Sequence, residues 1–152
     1  MSILVINGPN LNTLGRREPE VYGTTTLAEV EGSVKEYADR MGVTVEFFQS
    51  NSEGAIIDFI QAREPDATGV IINPGGLTHG SVSLRDCLAA LKVPVVEVHI
   101  SNIYAREAFR HESLLAPVVR GQITGLGWLG YLLAMDYLVS EAGLFQKPGN
   151  GP

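Results

Sequence analysis

Short, uninterrupted apolar runs alternate along this chain with stretches of helical spacing. Ile3-Leu4-Val5-Ile6 has no polar interruption, as expected of a strand covered on both faces, and it stops at the turn-forming Asn7-Gly8-Pro9-Asn10. Residues 43–48 read as a second strand ending at Gln49-Ser50-Asn51, and residues 69–72 as a third ending at Asn73-Pro74-Gly75-Gly76. A fourth covers 93–100, with Glu97 and His99 near its end, and a weaker fifth covers 118–123.

The gaps between these runs carry helical patterns. Leu27, Val30, Val34, Tyr37 and Met41 fall on one helical face, with Thr26 and Glu29 as a capping box and Gly42 as the stop. Ser50 and Glu53 repeat the capping pattern before a helix at 55–62. Residues 81–91 predict a third helix, 105–111 a short one and 126–144 a long terminal one, leaving 147–152 as a disordered tail. With no linker and no internal repeat, residues 1–146 read as a single catalytic domain. Buried strands separated by helices imply a parallel sheet covered on both faces, an α/β three-layer sandwich. Five strands in this length predict a flavodoxin-like sheet of order 2-1-3-4-5, which binds ligands beyond the carboxyl ends of its strands. Asn7, Asn10, Asn51, Asn73, His79 and Ser101 follow those ends, a polar concentration that packing does not require.

Composition narrows the function classes. The 152 residues are 45% hydrophobic and 18% charged, which excludes a disordered chain and allows a self-supporting core. The net charge of −6 argues against nucleic-acid and membrane-surface binding. An anionic ligand would therefore need a local arginine cluster. One cysteine, Cys87, excludes an internal disulfide and suits a reducing cytoplasm. No basic N-terminal start precedes a long apolar run, so no signal peptide is expected, and the apolar stretch 126–135 is too short to span a bilayer.

Several local patterns carry possible chemistry. Alternation puts Glu97 and His99 on one strand face, and a carboxylate behind an imidazole fixes its tautomer and suits it to general acid work; a buried stabilising pair would look the same. His79 follows a flexible turn, and His111, between Arg110 and Glu112, reads as solvated. Residues 14–23 form a long connection holding Arg16, Arg17 and Tyr22, and long connections often serve as lids. Arg106 and Arg110, four apart on the short helix, repel unless an anion lies between them; a solvated face is the plainer reading. Gly125-Leu126-Gly127-Trp128-Leu129-Gly130 matches G-x-G-x-x-G, but no strand follows to complete a dinucleotide unit, so the glycines read as close-packing positions. Neither a phosphate-loop motif nor metal-type histidine spacing is present.

Taken together, the segments resemble the type II 3-dehydroquinate dehydratases. The resemblance rests on Ile6-Asn7-Gly8-Pro9-Asn10-Leu11-Asn12, Arg17-Glu18-Pro19 with Tyr22-Gly23, Gln49-Ser50-Asn51-Ser52-Glu53-Gly54, residues 73–79, Glu97-Val98-His99-Ile100-Ser101-Asn102 with Arg106 and Arg110, and Gly125-Leu126-Gly127. It implies a hydro-lyase of the shikimate and quinate pathways, without cofactor or metal, whose trimers assemble into a dodecamer. It also implies that Tyr22 removes the C2 proton of 3-dehydroquinate, with Arg17 stabilising the phenolate. His99, oriented by Glu97, would protonate the departing C1 hydroxyl, and Asn10 would hold a water against the enolate oxygen. Asn73, His79 and Arg110 would hold ring hydroxyls, and the backbone at Ile100 and Ser101 the substrate carboxylate. Arg106 would help position the lid, and Asp86 would reach a neighbouring subunit's site. Gly80 departs from the threonine expected after the histidine, which leaves Ser81 as the nearby hydroxyl.

The implied chemistry is physically reasonable. A free tyrosine ionises near pH 10, so a tyrosine base at neutral pH needs roughly 3 to 4 kcal/mol of help. One arginine about 4 Å away supplies that order of energy at an effective dielectric near 20. Lys35, Lys92 and Lys147 fall in a helix, a turn and the tail, so a Schiff-base route looks closed. A phospho-receiver needs acids after strand one and an aspartate after strand three, where Asn7 and Asn73 stand. Gly8-Pro9-Asn10-Leu11 is a poor flavin phosphate loop. A non-catalytic relative that binds the same sugar acid would not need Tyr22, Arg17 and His99 together.

Overall fold

A computed structural model describes residues 1–142. The expected tail at 147–152 lies outside the described residues. Five strands, β1 (Ser2–Asn7), β2 (Thr44–Gln49), β3 (Gly69–Asn73), β4 (Val95–His99) and β5 (Gly121–Thr124), form one sheet in the order β2-β1-β3-β4-β5. Every pairing is parallel, as the unbroken apolar runs predict.

Alternation along the strands divides the core in two. Ile3, Val5, Ile71, Val96 and Val98 pack with α2 (Leu27–Arg40) and α5 (Leu129–Glu141) on one face. Leu4, Ile6, Val70, Ile72 and Val95 pack with α3 (Glu53–Arg63) and α4 (Val82–Ala89) on the other. Helix α2 is capped as its sequence predicts, Thr26 Oγ1 accepting from the Glu29 N–H at 3.2 Å. The cap of α3 is Ser52 rather than Ser50: Ser52 Oγ accepts from the Ala55 N–H at 3.2 Å, while Ser50 Oγ accepts from the Ser52 N–H. The cap therefore lies two residues beyond the one the spacing suggests, and the helix begins at Glu53.

Two further expectations are corrected. Residues 105–111 do not form an α-helix; they break into 3-10 turns at Ile103–Ala105 and Ala108–Arg110, with Arg106 extended between them. Arg106 and Arg110 are thus separate projections into the site, not a stacked pair. The last helix starts at Leu129, not 126, because Gly125 and Gly127 adopt positive φ (86° and 62°) and turn the chain after β5. Of the three motif glycines, Gly125 and Gly130 serve close packing, a Cβ standing 3.0 Å from Asn102 Cβ at the first and 3.1 Å from Val98 Cγ1 at the second, while Gly127 has open space around it. Helix α1 (Pro19–Tyr22) is a single turn inside the long connection after β1. No helix among the described residues is long and apolar enough to cross a membrane.

The turns after β1 and β3 cross in near contact, which sets the floor of the site. The Gly8 N–H donates to the Asn73 carbonyl at 2.7 Å, and a Cβ at Gly8 would stand 2.4 Å from the Pro74 carbonyl oxygen. The obstacle is backbone and cannot rotate away. Gly8→Ala is expected to lower stability by about 1–3 kcal/mol, the cost of overpacking a rigid contact, measured by denaturant titration against the parent chain.

Candidate active site

The carboxyl ends of β1, β3 and β4 open into a cavity of about 210 Å³. Asn10, Asn73, His79 and His99 line it, together with Ile100 and Ser101. Arg17 and Tyr22 enter from the connection after β1, and Arg106 and Arg110 from the turns after β4. Glu97 stands behind His99 with no exposed surface. Asp86 alone among the predicted positions lies elsewhere, exposed on α4 beside Cys87 and a groove against α3.

Tyr22 is aimed by strain and held by cations. Glu18, a non-glycine residue at φ 37°, turns the chain into α1, and the Pro19 ring fixes the next φ. Arg17 Nη2 donates to the Tyr22 hydroxyl at 3.1 Å and Arg106 Nη1 donates to it at 2.7 Å. Both guanidiniums also lie near the ring, 4.4 and 5.2 Å from its centroid. Arg106, expected from the resemblance to help position the lid, makes the shorter bond to the phenol oxygen and a second one to Ser101 Oγ at 3.3 Å. Its charge is only weakly offset, since Glu18 and Glu107 stand 3.9 and 4.0 Å away.

His99 is fixed from behind. Its Nε2 bonds Glu97 Oε2 within the sheet end, as the alternation predicts. Burial alone pushes the Glu97 carboxyl up. The hydrogen bond and charge of His99, followed by donors from Thr78 and Gln122, outweigh that and hold it below the usual carboxylate range. His79 faces His99 with ring centroids 6.5 Å apart, and its Nδ1 meets the Glu112 carbonyl at 2.7 Å. Asn10 sits at φ 71°, anchored where its N–H donates to Asn51 Oδ1 at 2.9 Å. Under the floor, Asn73 Nδ2 donates to the Tyr131 hydroxyl at 3.0 Å, and that hydroxyl donates to Asn7 Oδ1 at 2.5 Å. Ser81, the nearest hydroxyl to Gly80, caps α4 and donates to Glu53 at 2.7 Å instead of lining the cavity. His111 is exposed, as expected, with Nε2 3.0 Å from the Arg106 carbonyl.

Sequence reasoning missed Thr78, Ser113, Gln122 and Tyr131. Each is distant in the chain from the side chain it serves, and a single serine, threonine or glutamine has no periodicity to mark it. The tyrosine is the one detectable case, a polar ring on the otherwise apolar inner face of α5.

The comparisons agree with the geometry. The family model for class II dehydroquinases matches residues 1–139. A 3-dehydroquinate dehydratase of Roseiflexus castenholzii is 60% identical over 149 residues, covering 98% of this chain and 94% of the relative. One from Bacillus subtilis is 51% identical over 140 residues, covering 92% and 95%. The crystal structure of a type II dehydroquinase from Butyrivibrio crossotus superposes with a TM-score of 0.89 at 48% identity, covering 91% of this chain and 97% of that one. An α/β sheet with its polar site at the carboxyl edge is thus matched in sequence and in shape across nearly the whole chain. The chain belongs to the class II dehydroquinase family.

A depressed carboxyl has a signed effect on stability. Glu97 adds stability above the unfolded carboxylate value of about 4.3, and that contribution is lost as pH falls through its lower native value. The melting temperature of the parent is expected to fall more steeply below about pH 5 than that of Glu97→Gln, followed by thermal melts at a series of pH values.

Proposed function

We propose that the residues gathered at this edge carry out the dehydration of 3-dehydroquinate to 3-dehydroshikimate through an enolate. The chain is a type II 3-dehydroquinate dehydratase, a hydro-lyase. The observation that carries the residue assignment is Tyr22, whose hydroxyl accepts from two guanidiniums in the same cavity as His99.

Tyr22 takes the C2 proton as a phenolate favoured by Arg17 and Arg106. Either guanidinium alone is of the required order, since one unit charge at about 4 Å contributes about 4 kcal/mol at an effective dielectric near 20. Asn10 holds a water against the enolate oxygen. His99, backed by Glu97, gives its proton to the leaving C1 hydroxyl. Asn73, His79 and Arg110 hold ring hydroxyls, and the backbone at Ile100 and Ser101 receives the carboxylate. Arg17, Arg106 and Arg110 supply the local positive charge that a chain of net charge −6 needs to admit a sugar acid. Lys35 is paired with Asp39 on α2 and Lys92 is exposed, and neither lines the cavity, which supports an enolate over a Schiff base. The enzyme serves the shikimate route to aromatic amino acids or quinate breakdown, in the cytoplasm, as a homododecamer in which exposed Asp86 reaches a neighbouring copy's site. Light scattering is expected to show that assembly at micromolar concentration; a monomer would remove it.

The direct test adds 3-dehydroquinate and follows the ultraviolet absorbance of the conjugated enone product. Turnover is expected to survive EDTA and borohydride. His99→Ala is expected to lower kcat by about 10²-fold or more with the fold intact. Near-normal kcat in that variant would make His99 structural.

Arg17→Ala and Arg106→Ala are each expected to cut kcat and to move the acidic limb of the pH–rate profile upward, because one guanidinium on the phenol oxygen is lost. Tyr22→Phe removes the base while leaving substrate binding measurable. Combining Arg17→Ala with Tyr22→Phe is expected to cost little beyond Tyr22→Phe alone, since the two act as a unit. A change in KM only, with the acidic limb unmoved, would show that the arginines merely hold substrate.

A further inference from the structure

The Glu97 carboxylate has more partners than His99. Thr78 Oγ1 donates to its Oε2 at 2.6 Å, Gln122 Nε2 donates to Oε2 at 2.8 Å, and Ser113 Oγ donates to Oε1 at 2.9 Å. Among the described residues its one ion-pair partner is His99. A fully buried carboxylate with a single counter-charge depends on neutral donors to stay ionised. The geometry leaves these donors little freedom. Ser113 Oγ already accepts from the Ala116 and Leu115 N–H groups at 2.9 and 3.2 Å, so its lone pairs are engaged and its one proton faces Glu97 and Thr78. The amide of Gln122, from β5, must present its NH₂ end to the carboxylate, since a carboxylate only accepts. The segment that carries Ser113 also lends the Glu112 carbonyl to His79 Nδ1, and its Leu114 N–H donates to the Thr78 carbonyl at 2.7 Å. One stretch of chain thereby braces both cavity histidines.

We propose that Ser113 and Gln122 are positioning residues for the dehydration, acting through the Glu97 carboxylate to set the orientation and acid strength of His99. The inference rests on His99 being the general acid. The two donors draw on the same carboxylate oxygens that accept from the imidazole. Removing one makes the carboxylate a stronger acceptor toward His99, which then keeps its proton to higher pH and gives it up less readily to the leaving hydroxyl. Other groups facing the site come from every element around it: His79 from the turn after β3, Arg17 and Tyr22 from the connection after β1, and Arg106 and Arg110 from the turns after β4. None of these groups is hydrogen-bonded to the side chain of Gln122 or Ser113.

The test uses the full chain and 3-dehydroquinate. Gln122→Met keeps the volume and removes the donor; Ser113→Ala removes the hydroxyl, and Ser113→Thr restores it. Gln122→Met and Ser113→Ala are expected to lower kcat about 5-fold each, the scale of one net hydrogen bond, with KM near the parent value. The basic limb of the kcat profile is expected to move upward, and Ser113→Thr to recover most of both effects. Should Ser113→Ala fail to fold, Gln122→Met, which caps no backbone, carries the test alone. A folded Gln122→Met with parental kcat and an unmoved basic limb overturns the inference. His99→Ala run alongside separates the two levels: if it keeps parental kcat, the general-acid assignment itself falls, whereas a loss there with no effect of Gln122→Met removes only the positioning role.

Discussion

A strand in the middle of a parallel sheet is covered on both faces, so it can carry a charged side chain only near its end and only if neighbours satisfy that charge. Glu97 meets this constraint on β4, with no exposed surface and its oxygens met by an imidazole, two hydroxyls and an amide. Its donors come from the turn after β3, the loop beyond the 3-10 turns and the edge strand β5. Those segments have to close over the sheet end for the carboxylate to be stable there. Breaking the arrangement leaves a buried, unpaired charge, a penalty of several kcal/mol. Satisfying it forms the back wall of the cavity.

The opposite requirement governs the front. Two guanidiniums meet the Tyr22 oxygen, and because cations repel when gathered they come from different parts of the chain. Arg17 lies five residues from Tyr22 on one connection, while Arg106 arrives from beyond β4. The short α1 turn and the left-handed Glu18 hold the phenol between them. Left-handed backbone at a non-glycine residue costs on the order of 1–2 kcal/mol, and here it lies at the start of the turn that carries Tyr22. The same two arginines line the cavity beside the phenol, so their charge also acts on whatever lies within.

Much of this was legible in the chain itself. Apolar runs marked the strands, and their alternation with helices in a chain of this length predicted the flavodoxin-like order that the sheet adopts. Strand alternation set Glu97 and His99 on one face, and the rule for open α/β sheets put the chemistry beyond the strand ends. The misreadings share a cause. Residues 105–111 contain good helix formers, yet they break into 3-10 turns in which the Arg106 and Arg110 side chains both reach the cavity. Residues 125–127 continue an apolar run, yet glycines at positive φ end one element before the next begins.

Periodicity and turn chemistry, which act over a few residues, therefore determined the layers, the strand order and the edge where the site lies. Only tertiary structure decided that Arg106 makes the shorter bond to the Tyr22 oxygen, 84 residues away in sequence, and that Ser113 and Gln122 reach Glu97 from 16 and 25 residues away. Such contacts depend on where chain segments meet after the sheet has formed. A hydrogen bond constrains its two partners in space to a few tenths of an ångström, but it leaves no spacing between them along the chain.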